Sequence, residues 1–228
     1  ETALPIQDVR VVIDGGRSRR ARFDPARGMS KLVTERVTKA EATQRQGRAG
    51  RVAPGVCYRL WTKGEEGGMQ GFPPPEIASA DLSDLVLELA VWGVTSPDEL
   101  AFLTRPPKAA WAEAQGLLRQ LGALDPKGHI TQHGRALAAL PLHPRLAHML
   151  TVAGPDAAPL AALLADRDPL RGVGVDLTLR TDALRDPKRH PSVRGALERI
   201  GAEVKRLRKL TAKVPAQKYS LSEQAALA

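Results

Sequence analysis

A cluster of arginines and glycines at residues 44–51, Gln-Arg-Gln-Gly-Arg-Ala-Gly-Arg, has the composition of a phosphate-binding segment. Its glycines, at positions 47 and 50, would let the backbone approach a ligand closely. Arg48 and Arg51 are three positions apart, so they would share one face if this stretch is a helical turn. Two guanidinium groups on one face can donate paired, charge-assisted hydrogen bonds to a polyphosphate. An Arg-Gly stretch is also typical of a basic surface turn, and the residues alone leave both interpretations open.

Other residue types that could carry chemistry do not form a recognisable set. We predict no metal site, because the histidines are spread over a turn, a loop and a later helix: His129, His133, His143 and His148. The single cysteine, Cys57, excludes an internal disulfide and lies in a strand-like pattern, where we expect it to be buried. The sequence also lacks a Gly-x-x-x-x-Gly-Lys-Ser/Thr loop and an Asp-Glu-x-His segment, which hold a triphosphate and Mg²⁺.

Strands are predicted on both sides of the arginine cluster. Residues 9–14 form a β-branched run stopped by two glycines, which is typical of a buried strand in a parallel sheet. Residues 19–23 and 32–37 are predicted to pair as a hairpin, and residues 56–60 form a further strand. Loops at the carboxyl ends of such strands are where open α/β sheets bind ligands.

Two helices and a small hairpin are predicted in the middle of the chain. Residues 64–75 are rich in glycine and proline and are predicted to be a linker. Helical spacing predicts one helix over 77–89 and another over 108–121, and residues 123–131 are predicted to form the hairpin. This order suggests a winged helix. Acidic residues line its first helix and favour a packing role over contact with nucleic acid: Asp81, Asp84 and Glu88.

The last part of the chain is predicted to be helical. One helix begins at Pro144, and residues 160–164 belong to another. A third is predicted from apolar residues at alternating spacings of four and three: Val193, Leu197, Ile200, Val204 and Leu207. Basic residues lie off that stripe, at positions 205, 206, 208 and 209. They either contact the backbone of a nucleic acid or form a solvated helix face, and the sequence does not decide between the two.

Composition and charge favour a soluble globular protein with an anionic partner. Hydrophobic residues make up 43% and charged residues 26% of the 228 residues, and the formal net charge is +9. Both ends are basic around an acidic centre. No apolar run approaches the ~18–20 residues of a membrane span, and no signal peptide opens the chain. We therefore expect a cytoplasmic protein.

Residues 44–51 resemble motif VI of superfamily-2 RNA helicases in the form typical of the DEAH/RHA family. Their surroundings are similar to the same family in order and spacing. Residues 1–6 resemble the end of motif V, residues 11–14 the strand after it, and residues 23–32 the hairpin that follows. Segments between 75 and 134 resemble the winged helix of the family, and residues 168–180 resemble a bacterial branch rather than the spliceosomal one.

This resemblance implies a mixed α/β chain in which the end of a RecA-like parallel sheet is followed by a winged helix and a mainly α-helical bundle. The three domains would be residues 1–62 (second RecA-like domain, C-terminal part), 63–140 (winged helix) and 141–228 (ratchet-like bundle). Arg48 and Arg51 would be arginine fingers that reach the γ-phosphate of ATP, and Gln44 would also contact the nucleotide. Thr2 and Arg145 would contact nucleic acid.

The intact protein would then hydrolyse ATP with Mg²⁺ and translocate on single-stranded RNA, with DNA as an open alternative. Its expected partner within the same protein is the missing first RecA-like domain, without which this chain would bind no ATP. The chain starts at Glu1 and stops in an apolar helical pattern, so we expect both ends to be cut. The alternative is a non-enzymatic winged-helix module that binds nucleic acid or another partner.

Overall fold

The computed structural model describes residues 9–24 and 29–213. Contacts between residues divide the chain into two units: Glu1–Asp81 with Thr104–Pro107, and Leu82–Leu103 with Lys108–Ala228. Both a small parallel sheet and many helices are present, which confirms the mixed α/β class. The domain boundaries expected after residues 62 and 140 stay predictions.

The described residues of the first unit form four strands and two α-helices. In chain order they are β1 (Val11–Asp14), β2 (Arg17–Asp24), β3 (Met29–Arg36), α1 (Lys39–Ala49), β4 (Val56–Arg59) and α2 (Lys63–Gly67). β1 pairs with β4 in parallel, and β2 pairs with β3 as an antiparallel hairpin. The four predicted strands are thereby confirmed, with ends that differ by a few residues, but β1 is not buried as predicted, since Val11 and Ile13 are 55% and 69% exposed. Cys57 of β4 is half-buried rather than buried.

Residues 64–75 are not the linker that their composition predicted. They contain most of α2, which Thr62 starts: its hydroxyl accepts from the backbone N–H of Glu65, and the Glu65 carboxylate accepts from the backbone N–H of Thr62. Met69 is buried in a small core with Val37 and Ala42. The backbone carbonyls of residues 70 and 71 accept hydrogen bonds from the first turn of α1. This segment therefore holds the start of α1.

Up to residue 213, where the description ends, the second unit contains seven α-helices. They are α3 (Ser83–Val91), α4 (Lys108–Gln120), α5 (Gln132–Ala138), α6 (Pro144–Ala153), α7 (Ala158–Ala165), α8 (Leu177–Arg185) and α9 (Arg194–Thr211). α4 and α9 match their predictions closely, and the predicted apolar stripe of α9 is buried from Leu197 onward. The predicted helix over 77–89 is wrong at its start, because Ile77 lies in a separate 3₁₀ turn, Glu76–Ala78. The predicted hairpin over 123–131 is reduced to a single bridge between Leu124 and Ile130.

A pair of buried histidines joins α5 to α6. His133 Nε2 and His148 Nδ1 are 2.8 Å apart, and the two residues are only 4% and 5% exposed. Burial and the neighbouring His148 lower the pKa of His133 to about 4, and burial also lowers the pKa of His148. Both rings are therefore neutral at pH 7, one donating the hydrogen bond and the other accepting it.

Among the helices that the structure describes, none combines the length and the apolar character needed to cross a membrane.

The histidine pair predicts a loss of stability in acid. As the pH falls below 6.5, unfolded chains take up a proton at residue 133 before folded chains do, so the free energy of unfolding falls. The loss continues until the folded pKa of about 4 and amounts to on the order of 3 kcal/mol. Urea unfolding between pH 7 and pH 4, followed by tryptophan fluorescence, measures it.

His133→Gln should flatten this pH dependence, whereas His129→Gln, which removes an exposed histidine, should leave it unchanged. Equal pH dependence in the wild type and in His133→Gln would contradict the assignment. If His133→Gln does not fold, NMR titration of the wild-type imidazole signals gives the pKa directly.

Candidate functional site

The arginine cluster lies at the C-terminal end of α1, whose first turn is fixed by a capping box. Thr38 accepts a hydrogen bond from the backbone N–H of Glu41 at 3.3 Å, and the Glu41 carboxylate accepts from the Thr38 N–H at 2.8 Å. Arg20 of β2 also donates to this carboxylate. Burial opposes ionisation of Glu41, but the hydrogen bonds from Thr38 and the charge of Arg20 outweigh it and lower the pKa. Glu41 therefore ties the helix start to the hairpin as an anion.

Arg45 attaches the middle of α1 to the end of β1. Its Nη1 lies 2.9 Å from Oδ1 of Asp14, whose side chain is fully buried, and 3.1 Å from the carbonyl oxygen of Arg17. The same Asp14 oxygen accepts the backbone N–H of Gly16 at 2.9 Å. One carboxylate thus joins the strand end, the turn after it and the helix. Arg45 is consequently part of the scaffold and is turned toward the sheet.

Arg59 of β4 binds Gln46, the residue that follows Arg45 in the cluster. It donates to Oε1 of Gln46 at 2.8 Å and to Glu66 of α2 at 2.6 Å. Its guanidinium also lies 5.6 Å from the centre of the Trp61 ring, a favourable cation–π distance. Contacts from both strands of the parallel sheet therefore set the rotation of α1 about its axis.

The residues with predicted roles differ in exposure. Gln44 is exposed and Arg48, one turn later, is half-buried, so the two share a face of the helix. Arg51 is exposed and lies beyond the helix end at Ala49. The expectation that Arg48 and Arg51 share a helical face is therefore wrong, because Arg51 lies in the loop that follows the helix.

Glycines have two different roles around this loop. A Cβ added at Gly55 would lie 2.2 Å from the carbonyl oxygen of Ala49, so only glycine allows the loop to pass this closely under the end of α1. A Cβ at Gly47 or Gly50 would meet no atom of the described chain within 4 Å. The predicted close approach at Gly47 and Gly50 is therefore not to this chain, and it stays a prediction about a ligand.

The remaining predicted site residues lie elsewhere. Thr2 falls outside the described residues. Arg145 is exposed in the first turn of α6, in the second unit, and its backbone N–H donates to Nδ1 of His143 at 3.3 Å. In the part of the chain that the structure describes, no group of three or more His, Cys, Asp or Glu residues could hold a metal ion.

A basic face on the β2–β3 hairpin was missed in the sequence. Alternate residues of a strand share a face, so Arg20 and Arg22 point one way, toward Glu41 and Glu35. Arg17 and Arg19 point the other way and are exposed, with Arg36 directly opposite Arg17. The signal was the alternation of arginines at positions 17, 19, 20 and 22, which separates into two faces only once the strand is known.

This face places like charges opposite each other. Such a cross-strand pair destabilises a hairpin, although Arg36 is also paired with Glu65 at 3.0 Å. A phosphate oxygen between the strands would remove the repulsion. The hairpin thus carries a further group of exposed positive charges, distinct from the arginine cluster.

Comparison with known proteins identifies the family. The family described as "Helicase associated domain (HA2), winged-helix" matches residues 114–142. The ATP-dependent RNA helicase HrpB of Escherichia coli is 41% identical over 171 residues, and the probable ATP-dependent RNA helicase DHR1 of Saccharomyces cerevisiae is 39% identical over 153. A crystal structure of the E. coli DEAH/RHA helicase HrpB superposes with a TM-score of 0.77 at 34% identity, covering 98% of this chain. The chain belongs to the DEAH/RHA helicase family.

This DEAH/RHA chain spans only part of its relatives. The alignment with HrpB includes 73% of this chain but only 21% of HrpB, and the alignment with DHR1 includes 67% of this chain but only 12% of DHR1. The superposition on the HrpB crystal structure covers 27% of that structure's chain. The resemblance to the family and to its bacterial branch, drawn from motif VI and from residues 168–180, is confirmed. Residues 114–142 are identified as the winged-helix part of the helicase-associated domain.

Replacing Arg45 in this DEAH/RHA chain should loosen α1. Arg45→Met keeps the apolar stem but leaves Asp14 charged and buried without its partner, a loss on the order of 3 kcal/mol. Hydrogen–deuterium exchange of the α1 amides, read by mass spectrometry, should accelerate accordingly.

Adding Asp14→Asn to Arg45→Met should recover much of that protection, since no buried charge remains. Arg119→Met, at an exposed position of α4, is the matched control. Exchange in Arg45→Met as slow as in this control would contradict the scaffold role.

Proposed function

We propose that the chain is part of an ATP-dependent RNA helicase, an enzyme in its intact form, and that it supplies the arginine fingers of the ATPase site. One observation carries this proposal. Within a single motif, Asp14 and Arg59 bind Arg45 and Gln46 and so fix α1 on the sheet, while Gln44 and Arg51 are exposed and Arg48 is half-buried. Such an arrangement serves a ligand that another domain holds.

The chemistry follows from the guanidinium groups. Arg48 and Arg51 would donate bidentate hydrogen bonds to the oxygens of the terminal phosphate, where negative charge accumulates as the phosphoryl group is transferred. Gln44, on the same face as Arg48, would donate its amide N–H to the nucleotide or to the attacking water. Fixed donors of this kind accelerate phosphoryl transfer by ~10³–10⁵.

ATP with Mg²⁺ fits this site only in part. The outward arginines suit phosphate oxygens, but the sequence has neither the phosphate-binding loop nor the acids that place Mg²⁺. The nucleotide and its metal would therefore be held by the first RecA-like domain of the same protein. This chain alone would not hydrolyse ATP.

The parallel sheet supports a larger motor domain. α1 covers one of its faces, whereas the other face carries apolar residues that are 51–69% exposed: Val11, Ile13, Val56 and Tyr58. Parallel strands are normally buried on both faces. We infer that the rest of the second RecA-like domain, in the intact protein, covers this face.

The proposed nucleic-acid partner is single-stranded RNA. The relatives of this chain are named RNA helicases. The hairpin face with Arg17 and Arg19 also offers positive charge at the spacing of alternate strand residues. Arg145 at the start of α6 is a further exposed cation in the second unit, and Thr2 keeps its predicted role near the RNA backbone.

The arginine fingers are tested by RNA-stimulated ATPase measurements on the intact helicase. Arg48→Ala and Arg51→Ala should each lower kcat by about 10³ with RNA affinity unchanged. Arg48→Lys should not restore activity, because an ammonium cannot reproduce the planar fork. Arg119→Ala serves as control. Turnover near the wild-type level in both alanine variants would contradict the arginine-finger assignment, whereas RNA binding by the intact wild type without any ATPase activity would favour the non-enzymatic binding module.

The hairpin face is tested by the salt dependence of RNA binding. For single strands, each phosphate contact contributes about 0.7 to the slope of log K against log salt. Arg17→Gln with Arg19→Gln should therefore reduce the slope by about 1.4, while ATPase activity without RNA stays unchanged. Arg119→Gln with Arg135→Gln is the matched exposed pair. An unchanged slope would remove the hairpin from the RNA path, and the same assay with DNA of equal sequence measures the preference for RNA.

A further inference from the structure

A groove of about 630 Å³ lies between α7, α8 and α9, within the second unit. One face of α8 and one face of α9 form its walls. Those faces contribute residues at helical spacing: Leu177, Thr181 and Leu184 from α8, and Gly201, Val204, Lys205 and Arg208 from α9. The start of α7 closes the third side with Leu160. Grooves of this size and shape receive ligands or helices.

The groove has an apolar floor and a basic rim. Leucine, valine and proline side chains line the floor, whereas Arg185, Lys205 and Arg208 lie among its lining with Asp156 as the acidic residue. Arg185 is paired with Asp182, but both side chains are largely exposed, so this pair contributes little. Lys205 and Arg208 are exposed members of the basic cluster on α9. The rim therefore favours negative charge.

Interactions outside the groove hold its walls in place. Arg180, on the buried side of α8, donates to both oxygens of Asp168 and to the backbone carbonyls of residues 170, 173 and 176. These bonds fix the loop that leads into α8. Arg199 of α9 pairs with Asp166 at the end of α7 at 3.1 Å. The walls are thus positioned before any partner arrives, which reduces the entropy lost on binding.

The lining distinguishes between two kinds of anionic partner. Single-stranded RNA is held by aromatic side chains on which bases stack, together with cations for the phosphates. Among the described residues that line this groove none is aromatic, and their aliphatic side chains offer nothing to a phosphodiester. A protein helix with apolar residues on one face and acids beside them would satisfy both the floor and the rim.

We propose that this groove docks an acidic amphipathic helix of a protein partner. Apolar anchors one turn apart pack against Leu160, Leu184 and Val204, and flanking carboxylates pair with Lys205 and Arg208. This surface goes beyond the ATPase and RNA functions proposed above and does not depend on them. It also gives the basic face of α9 a role that the sequence left open.

Gly201 provides a steric test, because it lines the groove on α9. A Cβ added there would meet Leu184 at 4.0 Å, an ordinary contact, so Gly201→Met should fold and place its side chain in the groove. Gly195→Met, in the same helix, is the control, since a Cβ at Gly195 meets nothing within 4 Å in the described chain. Equal melting temperatures of the two variants establish that both are folded.

The probe is a phage-displayed library of 16-residue, helix-favouring peptides, selected on the intact helicase. The expected consensus has apolar residues at spacings of three and four with Asp or Glu between them. Synthetic peptides of that consensus should bind at least about tenfold more weakly to Gly201→Met and to Lys205→Glu with Arg208→Glu, and equally well to Gly195→Met.

Three results would overturn the proposal. One is a consensus without acidic residues, and another is that no selected peptide is sensitive to Gly201→Met. The third is binding of a ten-nucleotide uridine RNA that Gly201→Met abolishes, which would assign the groove to nucleic acid.

Discussion

The buried ion pair between Asp14 and Arg45 is the interaction on which the orientation of the arginine cluster depends. Asp14 ends β1 with its side chain fully buried, and its Oδ1 binds both Arg45 of α1 and the N–H of Gly16. An apolar contact of the same volume could be more stabilising, since burying two charges is costly. It would, however, permit α1 to rotate. A directional charge pair allows one rotation of the helix, and that rotation decides which side chains of the cluster face outward.

The geometry of this cluster could not be predicted from its own residues. Arg45, Arg48 and Arg51 are equally spaced, so no local pattern tells which guanidinium is internal. The answer lies 31 positions away, at Asp14, and depends on the tertiary fold. The resemblance to motif VI named Arg48 and Arg51, and the contact with Asp14 gives the physical reason why Arg45 is different. The end of α1 at Ala49 could not be read from the cluster itself.

Predictions of strands and helices succeeded where apolar residues recur clearly along the sequence. They failed where hydrogen bonds between neighbouring residues determine the local structure. β1, β4 and α9 follow their apolar patterns, whereas β2 is formed by a mainly polar stretch. The segment rich in glycine and proline was taken for a linker, although Thr62 and Glu65 form a capping box that starts α2. Similarly, the Asp125 carboxylate closes the turn at 125–129 by accepting a hydrogen bond from the His129 backbone N–H. Only one β-bridge, between Leu124 and Ile130, flanks this turn. Side-chain caps outweighed composition in both places.

The proposed division of the ATPase site between two domains follows from how the arginines are held. Their scaffold, made by Asp14, Arg45, Gln46 and Arg59, is complete within this chain and needs no nucleotide. The entropy of fixing α1 on the sheet is therefore lost at folding rather than during catalysis, which contributes to electrostatic preorganisation. What this chain does not supply is the triphosphate. Hydrolysis would then be timed by the approach of the domain that binds ATP, and a rigid α1 allows that rigid-body approach alone to switch the reaction on.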